Sequence, residues 1–65
     1  MIKSNVKREM DKKRLSIRKL VDQTGLSSGT VHRARGEQVG KCSLTTLERI
    51  AKALDVRVKD LFDEV

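Results

Sequence analysis

The sequence predicts an all-α fold of five short helices, and three observations carry that prediction. Apolar residues recur at helical spacing, as in Ile17, Leu20 and Val21, and again in Leu44, Leu47, Ile50, Ala51 and Leu54. Serines stand directly ahead of the apolar stripes and a glycine closes the first of them, which is how helices begin and end. Proline is absent and Phe62 is the sole aromatic, whereas strands are usually richer in aromatic and β-branched residues.

The first helix is predicted over Ser4–Lys13, where Val6, Met10 and then Lys13 or Arg14 share a face, with Leu15 packing at its exit. Ser16 is placed to cap a second helix over Ile17–Thr24, its hydroxyl accepting from a free backbone N–H. Gly25 stands where a left-handed residue ends that helix, and Leu26 plugs the turn. Ser27 caps a third helix, Ser28–Arg35, whose apolar positions are Val31 and Ala34 alone. So narrow a stripe leaves most of the helix facing outward, and insertion into a groove gives such a polar helix a reason to exist. Gly36–Cys42 reads as a polar loop. Ser43 then caps a helix over Leu44–Leu54, Asp55 ends it, Val56 packs back, and Val58–Phe62 forms the last short helix. The predicted core is Val6, Met10, Leu20, Val21, Leu26, Val31, Leu47, Ile50, Leu54, Leu61 and Phe62.

With 65 residues the chain is expected to form a single domain over 1–65. A chain of this size buries only about 60% of its unfolded surface, so the core is thin. Cys42 is the only cysteine, so no disulfide is expected, and the absence of a Cys/His cluster excludes the usual structural zinc site. A single thiol fits a reducing cytosol. No apolar run approaches a membrane span and no signal segment opens the chain, so a soluble cytoplasmic protein is expected, with no membrane partner.

The net charge is +6 and it is unevenly placed. Residues 1–25 hold eight Lys/Arg against three acids, residues 26–41 three against one, and residues 42–65 four against five. A basic front with a near-neutral back is the footprint of a polyanion-binding face, although a lysine-rich soluble surface has the same balance. The scarcity of aromatic rings speaks against single-stranded nucleic acid, whose binding platforms stack bases on exposed rings. The segment Ile17–Arg35 adds geometry to charge. Two short helices joined by Gly25-Leu26-Ser27 have the spacing of a helix-turn-helix, in which the second helix can enter the major groove of duplex DNA.

Several blocks together carry a resemblance: Leu15-Ser16, Leu20-Val21, Thr24-Gly25-Leu26-Ser27, Thr30-Val31, Leu44 through Val56, and Asp60-Leu61-Phe62. In this order and spacing, over roughly residues 5–62, the chain resembles the Cro/repressor-type helix-turn-helix domain of bacterial and phage regulators. The resemblance implies a compact five-helix, lambda-repressor-like bundle that binds double-stranded DNA, normally as a homodimer on a two-fold operator. By position, Ser27 and Ser28 match the start of its recognition helix, and Gly29, Thr30, His32 and Arg33 its outward side. Two residues depart from the family pattern. Ile17 replaces a Gln that commonly anchors a phosphate, so that contact is lost or falls to Ser16 or Arg18. Arg35 replaces a Glu and adds positive charge beside the DNA.

Arg33 is the leading base reader, since guanidinium pairs bidentately with guanine O6 and N7. Ser28 and Thr30 can donate to base edges or phosphates, and Ser28 lies nearer the helix start that approaches the bases. Gly29 costs helix propensity of about 1 kcal/mol relative to Ala, which a close approach of backbone to groove would offset. His32 is a groove contact, with no carboxylate partner evident for catalysis. The phosphate set is Ser16, Arg18, Ser27, Arg35 and Lys41, with Arg14 a further possibility; donors and dipole at helix starts suit an anion. The run Lys12-Lys13-Arg14 is either a solvated helix terminus or a DNA contact.

The expected function is therefore sequence-specific transcriptional regulation, with repression by promoter occupancy ahead of activation. An antitoxin or restriction-modification controller would use the same domain. A protein-interaction module that kept the fold without specific DNA binding is the alternative from a different class. No nucleophile–base pair, carboxylate pair, metal cluster or glycine-rich phosphate loop supports an enzyme, and neither cofactor nor small-molecule ligand is expected. The expected setting is bacterial or phage-encoded and nucleoid-associated. Val56 and Val58 are candidates for the dimer contact.

Overall fold

A computed structural model describes residues 1–65 and contains four α-helices: α1 (Val6–Lys13), α2 (Ile17–Thr24), α3 (Ser28–Arg35) and α4 (Leu44–Leu54). Three of them start on the serines that the sequence marks. Ser16 Oγ accepts from Lys19 N–H, Ser27 Oγ from Thr30 N–H and Ser43 Oγ from Thr46 N–H, each at 3.1 Å. Each bond satisfies a donor that the first turn would otherwise leave unpaired, a contribution of about 1 kcal/mol. The other ends are equally local. Gly25 closes α2 at φ 73°, and two non-glycine residues do the same work, Arg14 after α1 at φ 56° and Asp55 after α4 at φ 57°. Behind Arg14, Leu15 N–H reaches Met10 O at 2.9 Å; behind Asp55, Val56 N–H reaches Ala51 O at 3.0 Å. Paired with the bonds from Arg14 N–H to Asp11 O and from Asp55 N–H to Lys52 O, each at 3.2 Å, these are Schellman closures, and each turns an apolar residue back onto the core.

The expected helices are corrected at both ends of the chain. The first, expected from Ser4, begins at Val6, and Ile2–Ser4 forms strand β1, antiparallel to β2 (Phe62–Glu64), with Ile2 opposite Glu64, Lys3 opposite Asp63 and Ser4 opposite Phe62. The last helix is a 3-10 turn over Val58–Leu61, and Phe62 leaves it to enter β2. The expected loop Gly36–Cys42 likewise holds a 3-10 helix, Glu37–Lys41. Aromatic scarcity argued against strands, but these two are three residues long and pair the two chain ends, so local pattern carries no trace of them. The body of the fold remains all-α.

Eleven hydrophobic residues form the buried core: Val6, Met10, Leu20, Val31, Ala34, Val39, Leu47, Ile50, Ala51, Leu54 and Leu61. Three residues expected there, Val21, Leu26 and Phe62, instead sit half-buried at its margin. Ala34, Val39 and Ala51 take interior places instead, and α3 packs directly on the Glu37–Lys41 turn that carries Val39. Leu44 belongs to the α4 stripe by spacing yet is 67% exposed, beside a cleft lined by Ile2, Val39, Leu47 and Phe62.

One buried polar residue fixes the angle of the helix pair. Thr24 Oγ1 donates to Leu20 O at 2.7 Å and accepts from Leu26 N–H at 3.2 Å, tying the end of α2 to the turn. Arg49 Nη1 of α4 donates to Thr24 O at 3.4 Å, placing a cation at the negative end of α2. On the far side Glu9 is buried, with Lys12 Nζ and Arg8 Nε at 3.6 and 3.7 Å.

Candidate nucleic-acid interface

Helix α3 docks through Val31 and Ala34, both fully buried, and leaves most of its other side chains facing outward. Ser28, Gly29, His32 and Arg33 are exposed, and Thr30 is half-buried. Along one flank three side chains are linked. Ser27 Oγ and Thr30 Oγ1 lie 2.9 Å apart, and Arg33 Nη2 donates to Thr30 Oγ1 at 3.2 Å. A guanidinium carries five donors, so this bond orients Arg33 while leaving four free for an incoming acceptor. A Cβ on Gly29 would meet nothing nearer than Ser27 Oγ at 3.9 Å, so the protein's own packing does not require glycine there.

Beside that flank runs a polar cleft lined by Thr30, Arg33, Gln38, Lys41, Cys42 and Thr46. It lies between α3, the Glu37–Lys41 turn and the start of α4, and brings the cations of Arg33 and Lys41 to one mouth. Gln38 and Thr46 did not stand out in the sequence. Thr46 had a signal: Ser43 Oγ donates to Thr46 Oγ1 at 3.0 Å, repeating at the start of α4 the Ser-x-x-Thr pattern of Ser27 and Thr30. Gln38 had none, because its position depends on a 3-10 turn hidden in a polar segment.

The expected phosphate contacts fall in three places. Ser16 and Arg18 are exposed at the start of α2, where the Ser16 oxygen accepts from Lys19 N–H and its own hydrogen is left to donate outward. Ser27 and Lys41 lie on the α3 side just described, Lys41 lining the cleft itself. Arg35 is apart from both: it is half-buried, its Nε is enclosed without a partner, and it lines a separate cleft with Met1, Ile2, Ser4 and Glu37. Of the run Lys12-Lys13-Arg14, Lys12 is engaged by Glu9 and Arg14 supplies the left-handed closure of α1. No cluster of His, Cys, Asp or Glu could hold a metal ion, and no helix is long and apolar enough to cross a membrane.

A capped helix, a tight glycine turn and a second helix that exposes its cations beside a polar cleft define the helix-turn-helix class of DNA-binding domain. A family model, the Cro/C1-type HTH DNA-binding domain, matches residues 5–65, and the chain belongs to that family. The match takes in all four α-helices and both 3-10 turns, and the family is one of DNA-binding regulatory domains rather than of enzymes. No curated protein matches the chain.

Proposed function

We propose that residues 1–65 act as one unit that binds a specific duplex sequence and regulates transcription, as a repressor that occupies a promoter. The observation that carries this is the linked flank Ser27–Thr30–Arg33 on the outward side of α3, next to the cleft that Lys41 shares. In this reading Arg33, Ser28, Gly29, Thr30 and His32 face the base edges, and Ser16, Arg18, Ser27 and Lys41 meet phosphates on either side. Arg35 is the outlying member of the phosphate set, because part of its guanidinium is enclosed against β1. The excess of cations in residues 1–41 supplies the long-range attraction.

An eight-residue helix reads few bases, so the reading includes a homodimer on half-sites about 34–36 Å apart. Val56 and Val58 are half-buried against the core, which leaves them little to contribute to that contact. Leu44 has more to gain, being 67% exposed at the rim of an apolar cleft with Ile2, Val39, Leu47 and Phe62. Pairing of two copies through this cleft is the form of dimer that the reading adopts.

The test is fluorescence anisotropy of labelled duplexes over a range of salt, the DNA upstream of the chain's own gene against a scrambled duplex. Tight binding to the upstream DNA alone supports an operator binder that regulates itself. Equal, salt-sensitive binding to both removes the claim of specificity for that DNA. No binding at low salt overturns the reading in favour of a protein-interaction module.

A further inference from the structure

Helix α3 ends unlike the other three. α1, α2 and α4 each close on a residue in the left-handed region, whereas α3 runs out through Gly36 at φ −113° and ψ −161°. Gly36 returns one bond, from its N–H to Arg33 O at 3.2 Å. The last turn of a helix leaves carbonyls without an intrahelical partner, and in α3 one of them is met from outside. Ser4 Oγ donates to the carbonyl of Ala34, 30 residues away, at 2.5 Å. The same oxygen accepts from Val6 N–H, the first residue of α1, at 3.2 Å. One hydroxyl thus joins the start of α1 to the end of α3.

Ser4 is itself held on both sides. It stands opposite Phe62 in the terminal sheet. Its neighbour Asn5, buried, donates its backbone N–H to Leu61 O at 2.7 Å and its side-chain Nδ2 to Asp63 Oδ2 at 2.9 Å. The other flank of β1 lies over the Glu37–Lys41 turn, where Ile2 approaches Gly40. The strand pair that closes the chain is therefore the base on which the end of α3 rests.

We propose that Ser4 is a positioning residue for DNA reading, its hydroxyl holding the last turn of α3, and with it Arg33, at the angle that base contact requires. The inference rests on the role given to α3 above. Arg33 directly precedes Ala34, so a loosened last turn displaces its guanidinium. A bidentate contact to a base edge is intolerant of such displacement, whereas attraction to phosphates tolerates it. Loss of the hydroxyl therefore weakens specific binding and leaves non-specific binding in place. A Ser4 that only stabilised the fold would lower the melting temperature and leave the ratio of the two affinities alone.

The experiment uses a duplex enriched by the wild-type protein from a random-sequence pool, with a scrambled duplex as competitor, well below every melting temperature. Ser4→Ala is expected to lower the specific-to-non-specific affinity ratio about fivefold to tenfold, the scale of one hydrogen bond. It should also speed amide exchange at Gly36 relative to the amides of α2, and Ser4→Thr should restore both. Asp63→Ala, which releases Asn5 from the exposed strand, should give a smaller loss in the same direction and keeps the test open if Ser4→Ala folds poorly. Leu15→Ala, a destabilising change at the opposite end of α1 from Ser4, should lower the melting temperature with the ratio unchanged. An unchanged ratio in Ser4→Ala, or an equal loss in Leu15→Ala, overturns the proposal. Failure of the wild-type chain to enrich any duplex overturns the DNA reading itself, and is seen before a variant is made.

Discussion

Arg33 and Thr30, one turn apart on α3, form a donor–acceptor pair in which Nη2 lies 3.2 Å from the threonine hydroxyl. The hydroxyl is in turn 2.9 Å from Ser27 Oγ, so a helix cap and the cation proposed to read bases belong to one chain of contacts. The consequence is preorganisation. An exposed arginine loses much rotamer freedom on binding, and a bond already made in the free protein lowers that cost.

Arg33→Ala is therefore expected to relax base specificity by about 1–3 kcal/mol at the position it reads, while binding to scrambled DNA changes little. Arg33→Lys should not restore it, because an ammonium lacks the planar fork. Thr30→Val should produce a smaller loss that vanishes in the Arg33→Ala background. Competition anisotropy on single-base variants of the enriched duplex measures all three.

Lys41 predicts a different signature. It is an exposed point charge at the cleft mouth, so Lys41→Ala should weaken specific and scrambled duplexes alike. The slope of log K against log salt should become shallower by about 0.9, the value for one phosphate contact. A change in specificity with no change in slope would instead make Lys41 a base reader.

Asp55 offers a test of the fold independent of DNA. It holds φ 57° at the end of α4, a region that L-residues with a Cβ adopt at a cost of about 1–2 kcal/mol. Asp55→Gly should recover about 1 kcal/mol and raise the melting temperature by roughly 4–8 °C, with DNA affinity unchanged. Calorimetry decides it; a fall in melting temperature would mean that the carboxylate does more than tolerate the turn.

The parts of this molecule that were legible in its sequence are those that local chemistry determines. Ser16, Ser27 and Ser43 mark helix starts because the bond each makes lies three residues ahead. The outward side of α3 follows from Val31 and Ala34 being its only apolar positions. What could not be read depends on distant partners. β1 exists because β2 returns to it, Val39 is buried because a 3-10 turn folds a polar segment inward, and Arg35 is turned towards β1 rather than the cleft. Ser4 reads as an ordinary first-turn serine until Ala34 is found beside it. Leu44 lies on the α4 stripe by spacing but outside the expected core, and it is exposed: helical spacing places a residue on a face without saying that a partner covers it.

Thr24 connects the turn geometry to the site. Its hydroxyl donates to Leu20 O and accepts from Leu26 N–H, and both bonds lie in or near the interior. Thr24→Val keeps the shape but leaves the Leu26 N–H without a partner, at a cost of about 1–3 kcal/mol. The Arg49 contact survives, because it is made to the backbone carbonyl of residue 24. The expected result is a lower melting temperature together with faster amide exchange at Leu26, while the amides of α4 stay protected. Because the turn sets the angle between α2 and α3, specific binding should fall further than scrambled binding. Thr24→Ser, which keeps the hydroxyl, should recover most of the specificity even where packing of the lost methyl is not recovered. Equal loss in the serine and valine variants would assign the effect to packing and remove the hydroxyl from the account of how the two helices are held.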